Sequence, residues 1–205
     1  MNPSGFRTDR YAGGMRGRPS TFRRDHVVQI AMDSYWSEGP NSVSLNEICR
    51  RAGVSKPGLY RAIGGEDELL DAALELYAEV VLAANVSAVD PEAPLRETLE
   101  GIVASFTDPD RVGPPGCLLA RLQHVDTLGP LATERVELLR RQSRAAYGAL
   151  VDAAKARGEV VDEISTEVAA AMIDIQCNAV LLRMAAGEDP ELLRSQARLA
   201  FSVFK

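Results

Sequence analysis

At 205 residues, with 46% hydrophobic and 25% charged side chains, the chain is long enough to bury a sizeable core and ordinary enough in composition to exclude a disordered or collagen-like class. Its three cysteines (Cys49, Cys117 and Cys177) are far apart and odd in number, which argues against a disulfide framework and fits a reducing cytoplasm. The net charge of −6 hides an asymmetry: residues 1–65 hold ten Lys/Arg against five Asp/Glu, whereas residues 66–205 hold 13 against 24. A basic first piece on an acidic body suits a polyanion partner for that piece alone; a merely solvated basic tail fits the charges equally well.

Nothing in the chain shows the strict alternation of half-buried strands, so the periodicity predicts an all-α protein of about nine helices. Residues 1–20 are Gly/Arg-rich and aperiodic and read as a flexible basic arm. A first helix is expected near 23–38, with Val27, Ile30, Ala31, Ser34 and Tyr35 at helical spacing and Gly39-Pro40 as its stop. A second starts at Ser44, where SLNE has the form of a capping box with Glu47, and ends at Gly53. Ser55 caps a short third helix with Pro57 in its first turn. A fourth runs from Glu66 to a frayed end near Asn85, and a fifth spans about 92–106. After the loop TDPDRVGPPG come a short apolar piece from Cys117, a long helix from Gly129-Pro130 to about Arg157, another near 163–186, and a last one from Asp189-Pro190 to Phe204. The most apolar segment, EVAAAMIDIQCNAVLL, is interrupted by Asp174 and Gln176, so no membrane span is expected. Arg7, Asp9 and Arg10 stand where a signal peptide needs an apolar run.

Three short helices in the first 65 residues, the second and third joined by Ala-Gly-Val-Ser, have the form of a DNA-binding helix-turn-helix spanning about residues 44–63. Gly53 supplies the sharp turn, Val54 packs inward, and the third helix presents Lys56, Gly58 and Tyr60 on a face that fits a major groove. An ordinary helical hairpin is the plain alternative, and it does not account for the turn, the cap and the basic arm together.

On these residues the chain resembles the TetR family of transcriptional regulators. The matching run is VVQIAMDSYWSEGPNSVSLNEICRRAGVSKPGLYRAI, preceded by GRPSTFRRD, and PPGCLLA at 114–120 is similar to a segment of one branch. The resemblance implies a helix-turn-helix domain at 21–65 and a ligand-binding and dimerisation domain at 66–205. It implies that Ser44 donates to a phosphate, that Lys56, Pro57 and Gly58 face the bases, and that Tyr60 puts its hydroxyl on the DNA backbone. Ser55 and Arg61 complete the expected DNA-binding set, with Arg16 and Arg18 of the arm entering a minor groove or adding salt-dependent affinity. The partners implied are double-stranded operator DNA, a small-molecule effector and a second copy paired through the last two helices. The implied function is a repressor released by its effector; a helical sensor or adaptor that has lost specific DNA binding is the other reading. Two positions depart from the family pattern: Ile63 replaces a usual aromatic, and Gly65-Glu66 replaces a Ser or Asn followed by Lys. Glu66 cannot touch phosphate and is expected to stabilise the start of its own helix.

In the acidic part, Val168, Met172, Ile175, Ala179 and Leu182 share one stripe of a helix that is apolar on more than one side, a pattern that fits contact with both its own core and a partner and fits a single central core helix nearly as well. Candidate ligand-binding residues are Phe106, Cys117, Leu118, Leu122, Tyr147, Met172 and Gln176, each of which also fits plain core packing. Enzymatic readings fail on inventory. The two histidines, His26 and His124, lack a glutamate three residues before them, and no nucleotide loop, zinc spacing or nucleophile elbow occurs, so no catalytic residue, metal or cofactor is expected.

Overall fold

The computed structural model describes residues 24–83, 92–111, 113–122, 125 and 127–204. Among these there are nine α-helices and no strand: α1 (Arg24–Glu38), α2 (Leu45–Ala52), α3 (Lys56–Ala62), α4 (Glu66–Tyr77), α5 (Leu95–Phe106), α6 (Leu118–Arg121), α7 (Pro130–Ala156), α8 (Thr166–Ala185) and α9 (Pro190–Phe201). A 3₁₀ turn at Pro40–Ser42 follows α1, and a π-turn at Ala78–Leu82 prolongs α4. The expected basic arm, with Arg16 and Arg18, lies outside the described residues, as does His124.

Each helix forms where its apolar spacing demands and stops where a cap allows. In α1, Val27, Val28, Ala31, Met32, Tyr35 and Trp36 are all buried, a double row broad enough to pack on α2 and α4 at once. Helix α4 buries Leu69, Leu70, Ala72, Ala73, Leu74 and Tyr77 and sits between α1 and α7, so it joins the amino-terminal unit to the body. In the body, α8 lies against α7, α9, α5 and α6, and α9 closes over α5. One continuous apolar core runs from Val27 to Phe204. Three boundaries differ from expectation. Helix α5 starts at Leu95, following Pro94; α8 starts at Thr166 because Ser165 accepts the Val168 N–H; and α9 stops at Phe201, although Phe204 is still buried.

Helix α8 is unusual. Its 20 residues and hydropathy of 1.4 meet the length and composition of a membrane span, a test that core helices of ordinary domains also pass. Ala169, Ala170, Ile173, Cys177, Val180 and Leu181 form its buried face. The stripe of Val168, Met172, Ile175, Ala179 and Leu182 falls on the opposite side, where Val168 is 62% and Ile175 63% exposed. Helix α9 repeats the arrangement: Leu193, Ala197 and Phe201 point inward, while Leu192, Leu199 and Val203 are exposed. Met172 and Leu182 at the edges of the stripe still pack against the core, whereas Val168 and Ile175 at its centre face outward.

Candidate nucleic-acid interface

Local chemistry builds the turn between α2 and α3. Ser44 Oγ accepts the Glu47 N–H at 3.3 Å and starts α2. Gly53 ends it at φ 65°, ψ 30°, a left-handed conformation in which Gly53 and Val54 return N–H bonds to the last turn of α2. Ser55 Oγ then accepts the Gly58 N–H at 3.2 Å and starts α3, with Pro57 where no donor is needed. Leu59 is the only buried residue of α3 and anchors it, and Val54 packs against the same core, as expected.

That single anchor leaves the rest of α3 outward. Lys56, Pro57, Tyr60 and Arg61 are exposed, Gly58 is half-buried beneath them, and Ser44 and Ser55 lie exposed at the helix starts. The Lys56 ammonium stands 5.9 Å from the centre of the Tyr60 ring, and Arg61 Nε donates to the Pro57 carbonyl at 3.2 Å. Of the nine expected DNA-binding residues, six are thus exposed and Gly58 is half-buried, while Arg16 and Arg18 lie outside the described residues.

The capping box forms by halves. Glu47 does not return to the Ser44 N–H: its carboxylate takes Arg50 Nη2 at 2.6 Å and Arg51 Nε at 2.8 Å. Arg51 also holds Glu38 and donates to Ser34 Oγ at 2.9 Å, tying α2 to the end of α1. Hydrogen bonds from Arg50 and then Arg51 lower the Glu47 carboxyl to about 2, and the same bonds to Glu38 and Glu47 raise Arg51. Two of the cations that made the amino-terminal piece look basic are therefore neutralised within it, and among the described residues Lys56 and Arg61 form no ion pair. The signal was legible in LNEICRR, where the arginines stand three and four residues after Glu47.

At the joint after α3, Glu66 stands in the first turn of α4 as expected, and the other two acids take specific bonds. Gly64 turns at φ 116°, and Glu68, not Glu66, accepts the Gly65 N–H at 2.7 Å and so caps α4. Asp67 leaves its own helix. Its two oxygens accept the N–H groups of Leu131 and Ala132, each at 2.9 Å, at the start of α7. Sequence reasoning missed this bond because its partners lie more than sixty positions away.

A second joint sits at Trp36. Its Nε1 donates to the Gly116 carbonyl at 3.1 Å, its ring meets Tyr77 edge-on at 5.0 Å, and the Arg111 guanidinium lies 5.8 Å above it. Gly113 lies so close that an added Cβ would fall 2.5 Å from the indole. The Tyr77 hydroxyl donates to Cys117 Sγ at 3.2 Å, and burial pushes both groups up. A similar pair, Tyr147 on α7 and Cys177 on α8, hydrogen-bonds in the body; burial raises both, Cys177 to about 11. These thiols are protonated packing groups at neutral pH.

Of the seven candidate ligand-binding residues, Phe106, Cys117, Leu118 and Leu122 are buried, and Tyr147, Met172 and Gln176 are half-buried. None of them lines either of two open grooves, one of about 620 Å³ between α7 and α8 and one of about 370 Å³ beside the 3₁₀ turn. Among the described residues, no group of three or more His, Cys, Asp or Glu is placed to hold a metal ion.

Residues 28–73, from α1 into α4, match the family model of bacterial regulatory proteins, tetR family. The chain is 28% identical over 120 residues to the HTH-type transcriptional repressor ComR of Escherichia coli K12, covering 56% of this chain and 55% of that one. It is 31% identical over 98 residues to the HTH-type transcriptional activator FasR of Mycolicibacterium smegmatis, covering 47% and 45%. These matches span about half the length of either curated relative. In overall fold it resembles a TetR-family regulator, CifR, solved as a cysteine mutant with 26-base-pair operator DNA: the TM-score is 0.77 at 22% identity, covering 92% of this chain and 100% of that one.

Proposed function

From its membership of the tetR family of bacterial regulatory proteins, we propose that this chain is a cytoplasmic, homodimeric regulator that binds double-stranded operator DNA. Regulation and not catalysis is the business of that family. The observation that carries the reading is the face of α3: Lys56, Pro57, Tyr60 and Arg61 all exposed around one buried anchor, Leu59. Lys56, Pro57 and Gly58 face the base edges, while Ser44, Ser55, Tyr60 and Arg61 hold phosphates and fix the register. With Arg50 and Arg51 engaged internally, Arg16 and Arg18 of the arm supply the further cations. The exposed stripes of α8 and α9 support pairing of two copies through the last two helices, since apolar residues there lie opposite each helix's core face.

The finer reading is a repressor. Two α3 helices must stand about 34–36 Å apart to enter successive major grooves. A small molecule seated among Phe106, Cys117, Leu118, Leu122, Tyr147, Met172 and Gln176, and preferring another spacing, lowers DNA affinity by its differential affinity for the two states. The test is selection of duplexes from a random library at low salt, followed by footprinting on DNA flanking the chain's own gene. Lys56→Ala should abolish selective binding. A wild type that selects no sequence, or a Lys56→Ala protein that binds as before, overturns the DNA-reading role and leaves the helical sensor, a reading that Glu66 favours at the start of α4.

A further inference from the structure

The first turn of α7 has an unusual solution to its free N–H groups. Pro130 has none, Thr133 returns its own to the Gly129 carbonyl at 2.9 Å, and the remaining two, on Leu131 and Ala132, go to Asp67 of α4. The residue before the helix, Gly129, offers no side-chain cap. A Cβ there would lie 2.2 Å from the Asp67 carboxyl carbon, so any larger residue displaces the carboxylate from these bonds. One turn further along both helices, Arg135 Nε donates to Asp71 Oδ1 at 2.7 Å, and its Nη2 lies 3.5 Å from Glu75. Asp67, Asp71 and Glu75 are spaced by four on one edge of α4, and they meet Leu131, Ala132 and Arg135 on α7 like rungs.

This seam lies between the two surfaces that must be held in relation. Helix α4 packs on α1 of the DNA-binding unit, and α7 packs along α8, whose outer stripe pairs the two copies in the reading above. Apolar contacts between α4 and α7 hold the helices together without fixing their register, because burial has no preferred direction. The Asp67 bonds do fix it, each requiring an N–H aimed at one oxygen. We propose that Asp67 is a positioning residue for DNA binding: it sets the register of α4 on α7, and through it the separation and rotation of the two α3 helices in the dimer. The proposal rests on the dimeric DNA-binding reading and adds to it the device that fixes operator geometry.

The experiment uses the full-length dimer and the duplex recovered by selection, in versions with two base pairs inserted or deleted between half-sites. The wild type should lose about tenfold or more in affinity on either change, because two base pairs rotate one half-site by roughly a fifth of a turn. Asp67→Ala should lose no more than about threefold across the same series, with unchanged affinity for an isolated half-site and unchanged dimerisation by sedimentation. Asp67→Asn keeps one of the two acceptor oxygens and turns an NH2 toward the other N–H, so it should restore only part of the wild-type penalty. Arg135→Gln, which removes only the second rung, should fall between and serves if Asp67→Ala does not fold. An Asp67→Ala or Arg135→Gln protein that keeps the full spacing penalty, whatever its melting temperature, overturns the proposal and reduces the cap to a stabilising contact. A wild type that selects no duplex overturns instead the reading on which the proposal stands.

Discussion

The amino-terminal helices and the helices of the body end in different ways. In α2 and α3 every cap comes from within a few residues: Ser44 serves Glu47, Ser55 serves Gly58, and Gly53 closes on Cys49 and Arg50. In the body, Ser165 and Asp189 still cap α8 and α9 locally, but at α5 and α7 long-range partners do the same work. The Leu95 N–H at the start of α5 is taken by Glu159 at 2.6 Å, the Thr107 carbonyl at its end by Arg194 at 2.9 Å, and the start of α7 by Asp67. A small unit that caps itself can keep a short helix with one buried anchor, and so turn its remaining side chains outward. A bundle that borrows its caps gains fixed relations between helices instead.

The comparison can be broken where the two regions meet. Trp36→Ala removes the indole that touches Tyr77 and Gly116 and should cost about 3–5 kcal/mol in urea unfolding. Equal loss of near-ultraviolet signal from both regions would show the joint is shared; loss confined to the body would mean α1 packs without it. Next in size, Glu159→Ala strips the cap of α5 and the partner of Arg157 together, at about 1.5–3 kcal/mol, with faster amide exchange at Leu95. Ser55→Ala should cost about 1 kcal/mol, with exchange rising at Gly58 and not in α5 or α7. If exchange rises across the body as well, the local character of the amino-terminal caps is wrong.

The last two effects are electrostatic. Glu66→Lys places a cation beside the α3 face and should tighten DNA binding and steepen its salt dependence by about one unit of slope per half-site; an unchanged slope would remove Glu66 from the interface. Glu47 is held at about 2, below its ordinary 4.5, so the folded state binds its proton later than the unfolded chain. The stabilisation from its pairs with Arg50 and Arg51 is therefore present above pH 4.5 and fades as pH falls toward 2. Urea midpoints at pH 5 and pH 3 should differ more for the wild type than for Glu47→Gln.

The same distinction explains what could be read from the residues alone. Helix order, the turn at Gly53, the caps at Ser44 and Ser55 and the outward α3 face all follow from neighbours in sequence, and the structure has them. The destination of Asp67, the cap from Glu159 and the seat of Trp36 depend on which helices lie side by side, and no local pattern carries that. The stripe on α8 falls between the two: its spacing was plain, but an apolar stripe has no sign for inside or outside until the small alanines opposite it are seen to face the core.

The carboxylate that starts α7 lies within the segment matched by the family model, residues 28–73, on the helix that joins it to the body, whereas Gly129 lies far beyond that match. The unit is therefore not interchangeable in the way a continuous match suggests. A chimera that takes its reader from another protein and joins it within α4 also takes whatever stands at position 67, and unless that residue can accept two N–H bonds against a glycine, the longest helix of the body loses its beginning.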